Sequence, residues 1–290
     1  MARRNLVIVR AGNKSLHPEW LSGPEPRNWD LVISYFGDDP DIYRVADVVR
    51  IDSKGPKWTP LQALVMQHPQ YLDMYDYIWF PDDDLEMKKQ DMNRFFDICR
   101  EHRLELAQPA LTVNSPVTHP LVFENTLSRI RFTNFVEVMA PCFSISCLQR
   151  VLPTFNCTQS GWGIDWLWPR IVDNPNSGVA IVDDVVIRHT RPLGGPNYDE
   201  MRKRGLSPSK ELEDFFEAQN ITSTQIEIHR VLLRSGKMRE VKGRSPFFLM
   251  LLGFGYFHAL VVSPARWPLL VQIGRLTKRH FRNLDASPSV

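Results

Sequence analysis

Three consecutive carboxylates, Asp82, Asp83 and Asp84, end the apolar run Tyr77-Ile-Trp-Phe80 within the stretch YDYIWFPDDDLE. Residues two apart on an extended chain project to one side, so Asp82 and Asp84 can face one hard cation while Asp83 points away. Magnesium or manganese suits such an oxygen pair. A solvated turn after a strand is the alternative, and the aromatic-rich strand feeding straight into the acids favours the cation. A second group is Ser160-Gly-Trp-Gly-Ile-Asp165. Its glycines let the backbone turn closely around a ligand, and Trp162 supplies a flat apolar wall of the kind on which sugar rings stack. From position alone Asp165 would cap the short helix expected at Trp166-Leu-Trp168. A third is Lys54-Gly-Pro-Lys57, ahead of a helix expected from Pro60 to Gln67. Lysines at a strand-to-helix junction can meet a phosphate, helped by the positive helix end, or can form a solvated basic loop.

These groups need a scaffold, and the chain supplies strand ends. Tyr77 to Phe80 lacks alternation, the pattern of a strand covered on both faces of a largely parallel sheet. The C-terminal ends of such strands are where open α/β sheets bind ligands. Asn5 to Val9 followed by Arg10-Ala-Gly12, and Trp29 to Tyr35 followed by Phe36-Gly-Asp-Asp-Pro40, repeat that design as βα units. Val48 to Ile51 reads as a third strand. Asp91 to His102 reads as a helix whose Met92, Phe95, Phe96 and Cys99 form a core stripe. Leu104 to Leu111 is a strand, and Thr112 to Thr133 a polar, irregular, acceptor-facing loop with His119 at the surface. Phe135 to Ser146 reads as an edge or bulged strand because Pro141 interrupts it. A short helix from Leu148 to Phe155, a strand from Gly178 to Ile187 closed by Arg188-His-Thr-Arg191, and a flexible Pro192–Pro196 lid loop follow. Ser209 to Asn220 is an amphipathic helix with Leu212, Phe215 and Phe216 inward.

Taken together, Gly55-Pro-Lys-Trp58, His68-Pro69, YDYIWFPDDD and SGWGID resemble a family catalogued as a domain of unknown function (707), related to metal-dependent glycosyltransferases of the GT-A fold. The resemblance runs roughly from Leu6 to Pro196. It implies an α/β, GT-A-like (Rossmann-type), mostly parallel twisted sheet flanked by helices. It also implies transfer of a sugar from a nucleotide-diphosphate-sugar to a hydroxyl acceptor, with Mn2+ or Mg2+ held by Asp82 and Asp84. By the same match, His189, after a late strand, completes the metal shell, and Asp165 is the general base of an inverting hexosyl transfer. Arg10, Tyr35, Lys57, Asp83, Trp162 and Gly163 are the implied donor contacts. Rival expectations are another metal-dependent phosphoryl or nucleotidyl transferase, which uses the same acids, and a non-catalytic protein that keeps the fold for binding.

The 290 residues allow one core and an appendage, and 43% hydrophobic with 23% charged residues is an ordinary globular balance. The expected division is a catalytic domain over 1–205, an amphipathic helix and basic linker over 206–244, and a membrane-associating segment over 245–290. Cys99, Cys142, Cys147 and Cys157 contain no CxxC pair, so reduced thiols are expected rather than zinc or disulfides. The apolar run Leu6 to Val9 is too short for a signal peptide, which predicts a cytoplasmic active site. Net charge is only +2, but Arg230 to Arg244 and Arg266 to Arg282 are locally basic. No nucleic-acid-binding motif accompanies them. Between them Ser245 to Ala265 carries no formal charge. Basic flanks at both ends predict a monotopic segment on an anionic membrane surface, peripheral on the inner face, rather than a span, with a buried core hairpin as the alternative. That placement implies a lipid or lipid-linked glycan acceptor.

Overall fold

The computed structural model describes residues 4–194, 196–241 and 246–285. Four short parallel strands form one half of the sheet: β1 (Asn5–Ala11), β2 (Trp29–Tyr35), β3 (Val48–Asp52) and β4 (Tyr77–Trp79). They are joined through the helices α1 (His17–Trp20), α2 (Trp58–Gln67) and α3 (Tyr71–Met74). All seven residues of β1 and all three of β4 are buried, which is why these segments show continuous apolar character instead of alternation. The strip β5 (Leu85–Glu86) and the helix α4 (Lys89–Glu101) follow, and Met92, Phe95, Phe96 and Cys99 are fully buried as the stripe requires. Trp79 packs on Phe95 with ring centroids 4.7 Å apart, which fixes α4 against the strand that carries the acids.

The second half contains β6 (Leu106–Leu111), β7 (Ser128–Thr133), β8 (Cys142–Ser144), α5 (Ile145–Val151), α6 (Ile164–Leu167), α7 (Pro175–Gly178) and β9 (Val179–His189). It continues with α8 (Pro196–Lys203), α9 (Pro208–Ala218), β10 (Ile228–Leu233) and β11 (Met238–Glu240). The strand order is β11-β10-β7-β9-β6-β8-β4-β1-β2-β3, and β5 pairs with the end of β9. The expectation of a mostly parallel sheet is therefore corrected to a mixed one. β6 and β9 are parallel, whereas β8 runs antiparallel to both β4 and β6, and β7, β10 and β11 add antiparallel ladders.

Three of those antiparallel strands lie where the sequence reads otherwise, β7 in the expected loop and β10 and β11 in the expected basic linker. In β7 the alternation Ile130, Phe132 is masked because Arg131, on the opposite face, is completely buried. Its guanidinium forms a two-pronged ion pair with Asp183, 2.8 and 2.7 Å, and donates to the carbonyls of Leu121 and Phe123 and to the Tyr256 hydroxyl. Burial works to lower the pKa of Arg131, and Asp183 overrides it, so the group stays charged. Arg230 to Arg239 forms the β10–β11 hairpin, with Arg230 over the ring of Phe132. In place of a Phe135 to Ser146 strand the chain loops from Phe135 to Pro141, and only Cys142–Ser144 pairs fully.

The apolar C-terminal run is broken into α10 (Pro246–Gly253) and α11 (Phe257–Val262), followed by α12 (Arg266–Asp285). Phe248, Leu251, Tyr256, Ala259, Leu269 and Leu276 are buried against the domain. Among the described residues no helix is long and apolar enough to cross a membrane. Cys99, Cys142 and Cys147 are free and buried, and Cys157 is free and exposed.

Candidate functional site

Parallel pairing of β1 with β4 places the C-terminal ends of both strands side by side, and a backbone bridge links Arg10 to Asp82. β4 ends after three residues, but Phe80 and Asp82 still donate their N–H groups to Pro141 and Met139, at 2.9 and 2.7 Å. Asp82 is therefore held as a continuation of the strand, and Asp83 and Asp84 form the turn that leads into β5. The Leu85↔His189 register of the β5–β9 ladder brings His189 beside Asp84, with Nε2 3.2 Å from Asp84 Oδ2. The other imidazole nitrogen, Nδ1, lies 2.7 Å from the Pro116 carbonyl, which orients the ring. Burial lowers the pKa of His189, but Asp84 outweighs it, and the imidazole is raised to about 9.

The three acids have three different surroundings. Asp82 Oδ1 accepts a hydrogen bond from Lys57 Nζ at 2.6 Å, and the same ammonium donates to the Val138 carbonyl at 2.6 Å. The Asp82 side chain is 34% exposed yet set deep among neighbours. Its pKa is raised, chiefly by burial and also by Asp84, with Lys57 opposing. Asp83 has partners of its own: Oδ2 accepts from the Gly12 N–H at 2.8 Å and Oδ1 from Arg191 at 2.9 Å. Desolvation raises it to about 6. Asp84 leaves Oδ1 buried with no hydrogen-bond partner. Such an orphaned oxygen costs free energy unless something else binds there.

Asp165 sits in the first turn of α6, after Gly163 at φ 91°. Burial pushes its carboxyl up to about 7, while the backbone N–H groups of Trp166, Asp165 and Gly163 favour the anion and limit the rise. Both glycines of the Gly-Trp-Gly motif have positive φ and no room for a side chain: a Cβ on Gly161 would lie 2.8 Å from the Trp58 indole, and one on Gly163 2.8 Å from Phe215 of α9. Trp162 remains half-buried, donates from Nε1 to Tyr198 of α8 at 2.8 Å and meets that ring edge-on. Burial raises the Tyr198 phenol, and the charges of Asp82 and Asp165 add to that rise.

One acid escaped the sequence reading. Glu137 is buried with neither carboxylate oxygen hydrogen-bonded. Burial, with the charge of Asp165 adding to it, raises it to about 8. The His119 backbone N–H lies near enough to favour the anion without a well-formed hydrogen bond. The only sequence signal was a lone Glu in the apolar run Phe135 to Met139. His119, expected at the surface, is half-buried and packs edge-on against Phe135 and Trp166, and desolvation lowers it to about 4.

Other expected donor contacts hold the framework. Arg10 is buried and donates to Ser34 Oγ, the Ser53 carbonyl and the Gly55 carbonyl at 2.8–2.9 Å, with burial lowering it to about 10. Tyr35 is buried, donates to Asn13 Oδ1 at 2.5 Å, accepts from the Asp39 N–H and has Arg50 stacked on its ring. Among the described residues no group of three or more His, Cys, Asp and Glu is poised around one point, and Lys57 holds Oδ1 of Asp82, the third expected donor. Asp84 and His189 are brought together. A cavity of about 610 Å³ lies elsewhere, lined by Glu19, Lys88, Glu86 and Arg188, on the other side of the β5–β9 ladder from His189.

Residues 49–230, more than half of the chain, match the family model described as "Protein of unknown function (DUF707)", and the chain belongs to that family. No curated protein matches it. Among solved structures, S. aureus TarS is similar at 13% identity over 76% of this chain and 44% of that one, with a TM-score of 0.44. This chain thus spans less than half of that TarS chain. S. aureus TarS 1–349 in complex with UDP-GlcNAc is 12% identical over 98% and 83% of the two chains, with a TM-score of 0.48. GalNAc-T7 with UDP, GalNAc and Mn2+ is 9% identical over 76% and 52%, with a TM-score of 0.47.

Proposed function

We propose that the chain is a metal-dependent, inverting glycosyltransferase that moves a hexose from a nucleotide-diphosphate-sugar to a hydroxyl on a lipid or lipid-linked glycan. The observation that carries the reading is Asp84–His189, beyond the strand ends, with an orphaned carboxylate oxygen; beside it stands Asp165 in the first turn of α6, raised by burial to about 7, and the charges of Asp165, His189 and Asp82 all act on the buried Glu137. Asp84 and His189 fit a divalent cation: one buried oxygen lacks a partner, and the imidazole is fixed through its other nitrogen. Mg2+ and Mn2+ commonly take one or two protein carboxylates and complete their shell with phosphate and water, so a third protein donor is not required. When bound, the cation would neutralise charge developing on the leaving diphosphate.

Asp165 accepts the proton of the attacking hydroxyl, a role for which a pKa of about 7 is well placed. Glu137 stays protonated at neutral pH and keeps the total charge of the acid cluster down. Trp162 and Tyr198 offer aromatic surface to a sugar and help to exclude water. Lys57, at the start of α2, balances Asp82 and adds positive potential where a diphosphate would lie. The test is a panel of nucleotide-sugars incubated with Mn2+ and membrane lipid extract. Release of a nucleoside diphosphate that depends on the metal and on acceptor supports the reading. Nucleotide consumption that yields monophosphate and pyrophosphate, or no turnover on any donor, refutes it.

A further inference from the structure

The C-terminal helices bury one face and leave the other bare. Phe254, Phe257, Val261, Val262, Trp267 and Val271 are each 51–70% exposed, and all lie within α10 to α12 or their joints. In α12, Trp267, Leu270, Val271, Gly274 and Lys278 recur at helical spacing on the side opposite buried Leu269 and Leu276. This stripe is unusual for a free surface, where large apolar groups occur singly.

The charge around it is one-sided. From Val241 to Leu284 the sequence has no Asp or Glu and seven Lys and Arg, of which Arg266, Arg275 and Lys278 are exposed beside the stripe. A two-fold contact between two copies would press these cations together with no acid to answer them. An anionic bilayer answers both features, taking the aromatic and aliphatic groups into its interface and the cations among its headgroups.

We propose that the outer face of α10–α12 docks onto an anionic lipid bilayer, with α12, about 30 Å long, lying along the surface. The face is firmly set: Tyr256 donates to the Leu121 carbonyl at 2.8 Å, Asn125 to that of Leu251 at 3.0 Å, and Ser263 to that of Val113 at 2.6 Å. The segment 112–122 gripped here is the one that supports the candidate site, since Ser115 accepts from the His189 N–H and the Pro116 carbonyl orients its ring. Docking therefore sets the site beside the bilayer. The lipid acceptor rests on the glycosyltransferase reading; the docking itself does not.

The test is cosedimentation of the full chain with vesicles of phosphatidylcholine alone and of equimolar phosphatidylcholine and phosphatidylglycerol. Wild type is expected to partition strongly only to the anionic vesicles. Arg275→Glu with Lys278→Glu is expected to weaken that partitioning at least about twentyfold. Trp267→Glu with Val271→Glu should abolish the fraction that survives high salt. All four positions are exposed, so circular dichroism should be unchanged. A wild type that stays in the supernatant with both vesicles overturns the proposal, as does a dimer in analytical ultracentrifugation that Trp267→Glu dissolves. Neither result depends on turnover, so docking and glycosyl transfer fail separately.

Discussion

Gly163, not Asp165, caps α6, and replacing Asp165 by Asn separates a catalytic carboxylate from one that only accepts the Trp166 N–H in the first turn, because Asn keeps an oxygen acceptor there. In the folded chain the carboxyl is raised from 3.8 to about 7. At about 1.4 kcal/mol per unit, holding it ionised at pH 8 costs about 4 kcal/mol relative to the unfolded chain, and relaxation of the site reduces this to about 2–4 kcal/mol. The sign follows from the direction of the shift. The protonated form stabilises fully below about pH 4, and the advantage disappears as pH rises towards 7. Asp165→Asn carries no such loss. It is expected to match wild type near pH 4.5 and to be more stable at pH 8, while turnover falls by roughly two to four orders of magnitude. Wild-type turnover should rise with pH through about 7. Denaturant unfolding at both pH values and nucleoside diphosphate release are the measurements. Near-normal turnover, or a variant less stable at pH 8, refutes the assignment and leaves Asp165 as a first-turn carboxylate that accepts from the Trp166 N–H.

Asp84→Asn and His189→Ala are each expected to weaken Mn2+ binding at least tenfold by calorimetry, whereas Asp83→Ala should loosen the Gly12 and Arg191 contacts and lower stability instead. Because His189 carries a proton up to about pH 9, wild-type Mn2+ affinity should rise between pH 7 and 9 by up to about tenfold per unit; a flat profile refutes this linkage. Arg131→Met strands Asp183 and should cost about 3–5 kcal/mol in denaturant unfolding, most of it recovered by adding Asp183→Leu. Glu137→Gln should match the wild type near pH 4.5 and become the more stable of the two as pH rises towards 8, because over that window the wild type must keep in the folded chain a proton that the unfolded chain releases from the ordinary value of 4.5 upward.

The placement of the acids was legible because burial on both faces and a terminal charge are each written locally: Tyr77 to Trp79 is buried throughout and Asp82 follows at once. The antiparallel half of the sheet was not, because its signal depends on distant partners. Arg131 makes β7 look like a loop until Asp183, fifty-two residues away, is seen to neutralise it. Arg10 and Tyr35 show the same difficulty at the site. A guanidinium or a phenol at a strand end serves a diphosphate and a loop equally well, and here the Ser53 and Gly55 carbonyls and Asn13 take up that capacity. Sequence names the donors and acceptors but not which are already satisfied. Asp83 and Asp84 are identical neighbours, and the first has both oxygens filled by Gly12 and Arg191 while the second keeps one buried oxygen empty. A buried, unpaired oxygen costs free energy in the folded chain, and a bound cation would offset that loss, so in the proposed mechanism this asymmetry, rather than the run of acids, is what singles out Asp84.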